Sequence, residues 1–215
     1  MSTKNTAILV TILIVLATLA GLLLWNRLPD TMASHWGADD QVNGTTGKLQ
    51  GVFLLPLITA AIVLLFMAIP LIDPLKANIA KFRGVFNICI VMVTAFMVYV
   101  HALQLAWNLG YSFRMSAGLL PGLGLLFIFL GFLIEKTKRN FFIGIRTPWT
   151  LSSDTVWEET HRVGAQLFKI SGLLALIGLF FPDYSLWFIL VPSIGSALFT
   201  VVYSYIIFER EARTA

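Results

Sequence analysis

Six apolar runs, at residues 6–25, 52–72, 85–106, 118–134, 165–181 and 186–208, decide most of what this chain can fold into. Crossing the ~30 Å hydrocarbon core takes roughly 17–25 helical residues. All six runs qualify, the fourth and fifth near the short limit. With 58% hydrophobic and only 12% charged residues in a chain of 215, a water-soluble domain could not hide this surface, so the solvent is lipid. Unbroken apolar runs, rather than alternating strands of about ten residues, exclude a membrane β-barrel. The predicted class is therefore all-α: a polytopic membrane protein built as a six-helix transmembrane bundle. The first run, "TAILVTILIVLATLAGLLLW" behind Lys4, has the length of a full span and no clear cleavage site after it. It reads as an uncleaved helix.

Orientation follows from the cations. Of the 15 basic residues, all but Arg27, Lys48 and Arg114 fall on one side if the N-terminus is inside. Such a bias predicts a plasma-membrane protein with both termini in the cytoplasm. It puts the polar loop 26–51 outside and the polar stretch 135–164 inside. The +4 net charge sits at the ends of apolar runs and forms no basic face, which predicts contact with membrane lipids and no direct nucleic-acid binding. The lone Cys89 allows neither an intrachain disulfide nor a cysteine metal cluster and reads as a packing residue. Gly118, Pro121, Gly122, Gly124 and Gly131 predict an irregular fourth span open to close backbone approach. Each half of the chain runs helix, long polar loop, helix, short connection, helix. That order of lengths resembles the inverted repeats of secondary transporters, although no residue-level repeat accompanies it.

Polar residues inside the spans mark candidate function. Asn87, Thr94, His101 and Asn108 recur every seven residues in the third run, with Gln104 one turn from His101. Seven residues drift only ~20° around a helix, so these groups share a face. Two readings stand open: interhelical hydrogen bonds, or the lining of a polar cavity open to the outside near His101, Gln104 and Asn108. His35 and Trp36 in the outer loop join Asn87, His101, Gln104 and Asn108 as candidate ligand-facing residues. Ser193, Ser196, Thr200 and Ser204 line one face of the sixth run and offer partners for that stripe.

The stretch "GIRTPWTLSSDTVWEETHRVG", residues 144–164, is too long and too polar for a simple connection. Gly144 permits positive φ or a close approach, and Pro148 makes Thr147 extended. Trp149 and Trp157 suit the headgroup layer. Thr155-x-x-Glu158 reads as a capping box, and Glu158 and Arg162 stand in the favourable i, i+4 order. Trp157, His161 and Gly164 share a face. The predicted structure is a tight turn followed by an interfacial cytoplasmic helix between spans 4 and 5. For Arg146 the fork of the guanidinium predicts either a bidentate pair with Glu158 or Glu159, or a lipid phosphate. Glu158-x-x-His161 lacks the companion carboxylates of a di-metal site. Neither H-E-x-x-H nor G-x-S-x-G occurs, and Ser153, Asp154 and His161 are too generic to be a triad. No metal, no cofactor and no enzymatic reaction are expected.

The longer run "RNFFIGIRTPWTLSSDTVWEETHRVG" resembles the signature of the SdpI family, bacterial membrane proteins named for immunity to a secreted sporulation-delaying peptide toxin. The match is carried by Asn140, Gly144 to Ser152, Trp157, His161 and Arg162. The outer loop "LPDTMASHWGADDQVNGTTGK" resembles the DUF1648 module that often precedes it, with Leu28, Pro29, His35, Gly44 and Lys48 in register. Met32, Ala33 and Asn43 stand where that module usually has Ile, Pro and Asp. The resemblance divides the chain into 1–84, a DUF1648-like module with spans 1 and 2, and 85–215, an SdpI-like module with spans 3 to 6 and the signature loop 135–164. It implies Asn140, Gly144, Arg146, Thr147, Pro148, Trp149, Trp157, Glu158, His161 and Arg162 as a functional cytoplasmic loop. It also implies resistance to a secreted antimicrobial peptide toxin and membrane recruitment of a cytoplasmic transcriptional repressor. The competing reading is a small secondary transporter or exporter that uses the polar stripe as its pathway.

Overall fold

The computed structural model describes residues 1–214. Six of its helices are long and apolar enough to cross a membrane: α1 (Thr3–Leu23), α2 (Lys48–Ile72), α4 (Arg83–Asn108), α5 (Met115–Ile134), α7 (Asp154–Ile177) and α8 (Trp187–Thr214). Two short helices, α3 (Lys76–Lys81) and α6 (Pro148–Ser152), lie in the connections. The multi-pass all-α bundle agrees with the apolar runs. Side chains such as Leu64, Leu57 and Leu198 stay exposed around it, as hydrocarbon-facing positions should.

The spans pack as two groups of three. Helices α1, α2 and α4 surround a core of Val10, Val63, Ile69, Phe86 and Ile90. Helices α5, α7 and α8 form the second group, with Leu120, Ala175 and Ile189 buried between them. Contact between α4 and α5 joins the groups. Close approach of α5 and α7 depends on small residues, as the fourth span's composition predicts. A Cβ on Gly172 would lie 2.5 Å from the Gly124 carbonyl oxygen, and one on Gly131 would lie 2.7 Å from that of Ala165. The fifth span departs from expectation. It begins at Asp154 rather than near residue 165 and runs unbroken, so the separate interfacial helix is only the short α6. The early turns of α7 stay ordered because Ser153 caps them, accepting from the Val156 N–H, and because Val156 and Trp157 are buried.

One end of the bundle carries a feature the apolar runs conceal. Residues 26–51 contain an antiparallel hairpin of β1 (Thr31–Trp36) and β2 (Val42–Gly47), with register shifts on either side of His35. Asp40, in the turn, takes a φ of 60°. This hairpin end also gathers the α4–α5 and α7–α8 connections, where Asp40 meets Ser116 and Arg114 meets Asp183. The opposite loop end gathers the N-terminus, the α2–α4 connection and residues 135–153. There Asn87 donates to the Met1 carbonyl, and Asn78 donates to that of Arg139.

Candidate functional site

At the loop end, one buried amide organises the turn. Asn140 is fully buried. Its Nδ2 donates to the carbonyls of Lys138 (2.8 Å) and Ile143 (2.9 Å), while its Oδ1 accepts from the N–H groups of Phe142 (2.9 Å) and Ile143 (2.7 Å). Both donors and both lone pairs are thereby used. Replacing any one bond would orphan a partly buried backbone group, at about 1–3 kcal/mol. Asp73 extends the hub by accepting the Phe141 N–H at 3.0 Å.

The chain then turns on Gly144, whose φ is +118°. A Cβ there would lie 2.3 Å from His161 Nε2 and 3.1 Å from the Trp157 ring, so glycine is needed for both conformation and space. The next residue, Ile145, donates its N–H to His161 Nε2 at 2.9 Å. His161 Nδ1 lies 2.7 Å from the Trp157 carbonyl and donates to it. The imidazole is thus held neutral, as the Nδ1–H tautomer, and stacks on Trp157 with ring centroids 4.0 Å apart. Trp157 itself donates its indole N–H to the Thr137 carbonyl at 3.2 Å. Being 1% exposed, it is a pillar of the loop and not the headgroup anchor its type suggested. Trp149 is half-buried against Tyr205.

The capping box lies elsewhere than expected. Thr147 caps α6, accepting the Thr150 N–H, and the Thr150 hydroxyl accepts the Thr147 N–H. Thr155 and Glu158 lie inside α7, whose cap is Ser153. Both caps also reach α8: Thr147 meets Ser204 at 3.0 Å, and Ser153 donates to Glu211 at 2.9 Å. The α8 stripe therefore serves α7 and the signature loop, with Ser196 on Ser171, and not the α4 stripe. The predicted ion pairs also change partners. Glu158 takes Lys138 at 2.6 Å, and Arg162 takes Glu159, one residue nearer than expected. Arg146 pairs with neither glutamate. Its exposed guanidinium donates to the Phe141 carbonyl at 2.8 Å, because both carboxylates already hold a closer cation.

At the hairpin end, Asn108 grips the backbone of β1 by both groups of Ala33: Oδ1 accepts the N–H at 2.8 Å and Nδ2 donates to the carbonyl at 3.0 Å. Gln104 reaches the same carbonyl at 3.5 Å. The hairpin tip is held by Asp40, whose two carboxylate oxygens accept from the Ser116 N–H and hydroxyl, each at 2.7 Å. Trp36 packs edge-on to Trp107, centroids 5.5 Å apart, and His35 bonds Asn43. Between hairpin and helices lies a cleft of about 960 Å³. Aromatic Trp107, Tyr111 and Phe113 line it together with Asp39, Asp40 and Arg114. The α4 stripe is thus divided. Asn108 and Gln104 hold the hairpin, Asn87 holds Met1 and Thr3 at the far end, and Thr94 bonds its own helix.

Two family models match the chain. Residues 136–204 match the SdpI/YfhL protein family, and residues 12–60 match a domain of unknown function, DUF1648. Over 196 residues the chain is 24% identical to "Immunity protein SdpI" of Bacillus subtilis (strain 168), covering 90% of this chain and 91% of that one. The family likeness to SdpI is thus carried by residues 136–204. No solved structure matches it. The first match takes in the Asn140 hub, the Gly144 turn, α6, α7 and most of α8. The second takes in most of α1, the hairpin and the first half of α2. Helix α4 lies between the two matches, yet its Asn108 holds the hairpin of one and its wall supports α5.

Sequence reasoning missed Asp40, Asp73, Asn78, Ser116 and Glu211. Asp40 carried a signal, since "GADDQVNG" has the turn residues of a hairpin. The others acquire partners only through the tertiary fold.

Proposed function

We propose that this chain is an immunity protein of the plasma membrane that holds a secreted antimicrobial peptide at the hairpin end without cleaving it. The observation that carries the reading is the cleft of about 960 Å³ between the hairpin, the end of α4 and the α4–α5 connection, with aromatic walls and charges of both signs. Such a surface suits an amphiphilic peptide, whose apolar and charged parts need separate contacts. Similarity along 90% of the chain to a protein named for immunity supports the same role. The bias of basic residues supports the sidedness: hairpin end outside, loop end and both termini in the cytoplasm.

Binding, rather than transport, is favoured by the state of the α4 stripe. A conduit needs polar groups free to face a passing solute, whereas Asn87 and Asn108 are occupied by the protein's own backbone. At the loop end, exposed Arg146 and the ion pairs of Glu158 and Arg162 present a charged surface on a rigid turn. It is the place where a cytoplasmic repressor would dock, and α4 contacts structures at both ends.

Deleting the gene in its own host tests the reading. The deleted strain, exposed to the small-peptide fraction of the host's culture medium, should lose viability, and the restored gene should rescue it. Equal survival of deleted and restored strains at every peptide dose would overturn the proposal.

A further inference from the structure

The cations of the loop end are not compensated alike. In the second helix group Lys138, Arg139, Arg162, Lys169 and Arg213 each pair with a glutamate or an aspartate. The first group differs. Its share of the loop end holds Lys4, Lys76, Lys81 and Arg83 against a single acid, Asp73. Asp73 is buried, and its two oxygens are committed to the N–H groups of Leu75 and Phe141. Among the described residues none of these four cations forms an ion pair. Lys81 donates only to the neutral Asn78 side-chain oxygen, at 3.0 Å. The half-buried Arg83 rests its guanidinium over the Phe86 ring, 5.5 Å from the ring centre.

The fold gathers the four at one corner. Val10, Ile79, Phe82 and Phe86 share a core, which sets α3 and the start of α4 against α1. Asn87, one turn beyond Arg83, donates to the Thr3 hydroxyl at 3.2 Å, beside Lys4. Neighbouring apolar residues give the depth. Ile8, one turn after Lys4 on the same face, is 51% exposed, and Leu71 and Ile72, just before the turn into α3, are 77% and 57% exposed. Such side chains face hydrocarbon, so the cations beside them stand in the headgroup layer.

We propose that this corner of α1, α3 and α4 seats an anionic phospholipid, with Arg83 and the lysines holding its headgroup phosphate. A half-buried guanidinium has shed part of its water and offers phosphate oxygens a planar fork. At this depth the bilayer itself supplies the phosphate, whereas an acidic protein surface would first have to displace it. Each basic residue at a membrane surface strengthens the hold on anionic lipid about fivefold. A paired carboxylate cancels that gain, which is why the second group does not offer the same seat. The inference is independent of the immunity reading.

The full chain is reconstituted in nanodiscs of equal parts phosphatidylglycerol and phosphatidylcholine, and native mass spectrometry identifies the lipids it retains on release. Phosphatidylglycerol should be favoured about tenfold. Lys76→Gln/Lys81→Gln, at two exposed positions, and Arg83→Gln should each cut the preference several-fold, with the melting temperature in pure phosphatidylcholine unchanged. Arg83→Lys, which keeps the charge, should retain most of it. Lys136→Gln/Arg210→Gln removes as much charge from the second group and should leave the preference nearly intact. Equal retention of the two lipids, or the same loss from both double variants, would overturn the inference. Displacement of the lipid by excess inorganic phosphate would do so too, because the site would then be one for a free anion.

Discussion

The backbone N–H of Ile145 points at Nε2 of His161, 2.9 Å away, across a turn that only Gly144 can make. Sixteen residues of sequence separate the pair, and the whole signature loop is folded back on α7 by this bond and its neighbours. Gly144→Ala would force a side chain into a backbone conformation it rarely adopts, at about 1–3 kcal/mol. It would also push the loop off His161 and leave a backbone donor unpaired, at a further ~1–3 kcal/mol. We expect a melting temperature in detergent lower by roughly 6–12 °C, which corresponds to about 3 kcal/mol in a chain of this size. An unchanged melting curve would show that the turn is not held as described.

The hairpin should be separable from the bundle. Asn108→Leu removes both bonds to Ala33, worth about 1 kcal/mol each. Amide exchange in β1 and β2 should accelerate by roughly an order of magnitude or more, with the six long helices unaffected. Asn108→Asp keeps the acceptor for the Ala33 N–H but loses the donor, and should fall between. Slow exchange in both variants would mean that the tip contact of Asp40 with Ser116 suffices.

Much of this arrangement was legible in the residues before any coordinates. Long apolar runs announce spans because lipid leaves the backbone no alternative; the first four begin and end within four residues of expectation, and the sixth begins within one but runs on to Thr214. The fifth was placed too late because the first turns of α7, "DTVWEETHR", are polar by composition, while Trp157 and His161 are in fact buried under the loop. The hairpin was hidden for a related reason. "TMASHW" and "VNGTTG" are short, bulged and interrupted by Gly44 and Asn43, and docking by Asn108 stabilises them where propensity does not. Helical spacing put Asn87, Thr94, His101 and Asn108 on one face correctly, but spacing cannot say which partner each finds. Arg146 illustrates the same limit: its carboxylate neighbours in sequence were already taken by Lys138 and Arg162.

Sidedness has a direct check. Cys89 is buried and is the sole native thiol, so Cys89→Ala gives a clean background. A cysteine at the exposed Ser34 of the hairpin should react with an impermeant maleimide in intact cells. One at Ser152, exposed at the loop end, should react only after permeabilisation. The opposite pattern would reverse the orientation and place the aromatic cleft in the cytoplasm.

The central claim is that the chain protects by holding a peptide intact, and its most direct measurement follows the peptide itself. Cells expressing the chain are incubated with the host's secreted small-peptide fraction, with and without an uncoupler, and the membranes are solubilised and the chain recovered. Mass spectrometry of what co-purifies should find a peptide of full length, bound in equal amount with and without the uncoupler, and lost when the cleft is narrowed by Thr45→Trp. Cleaved peptide on the chain, or peptide retention that collapses with the uncoupler, would contradict the account.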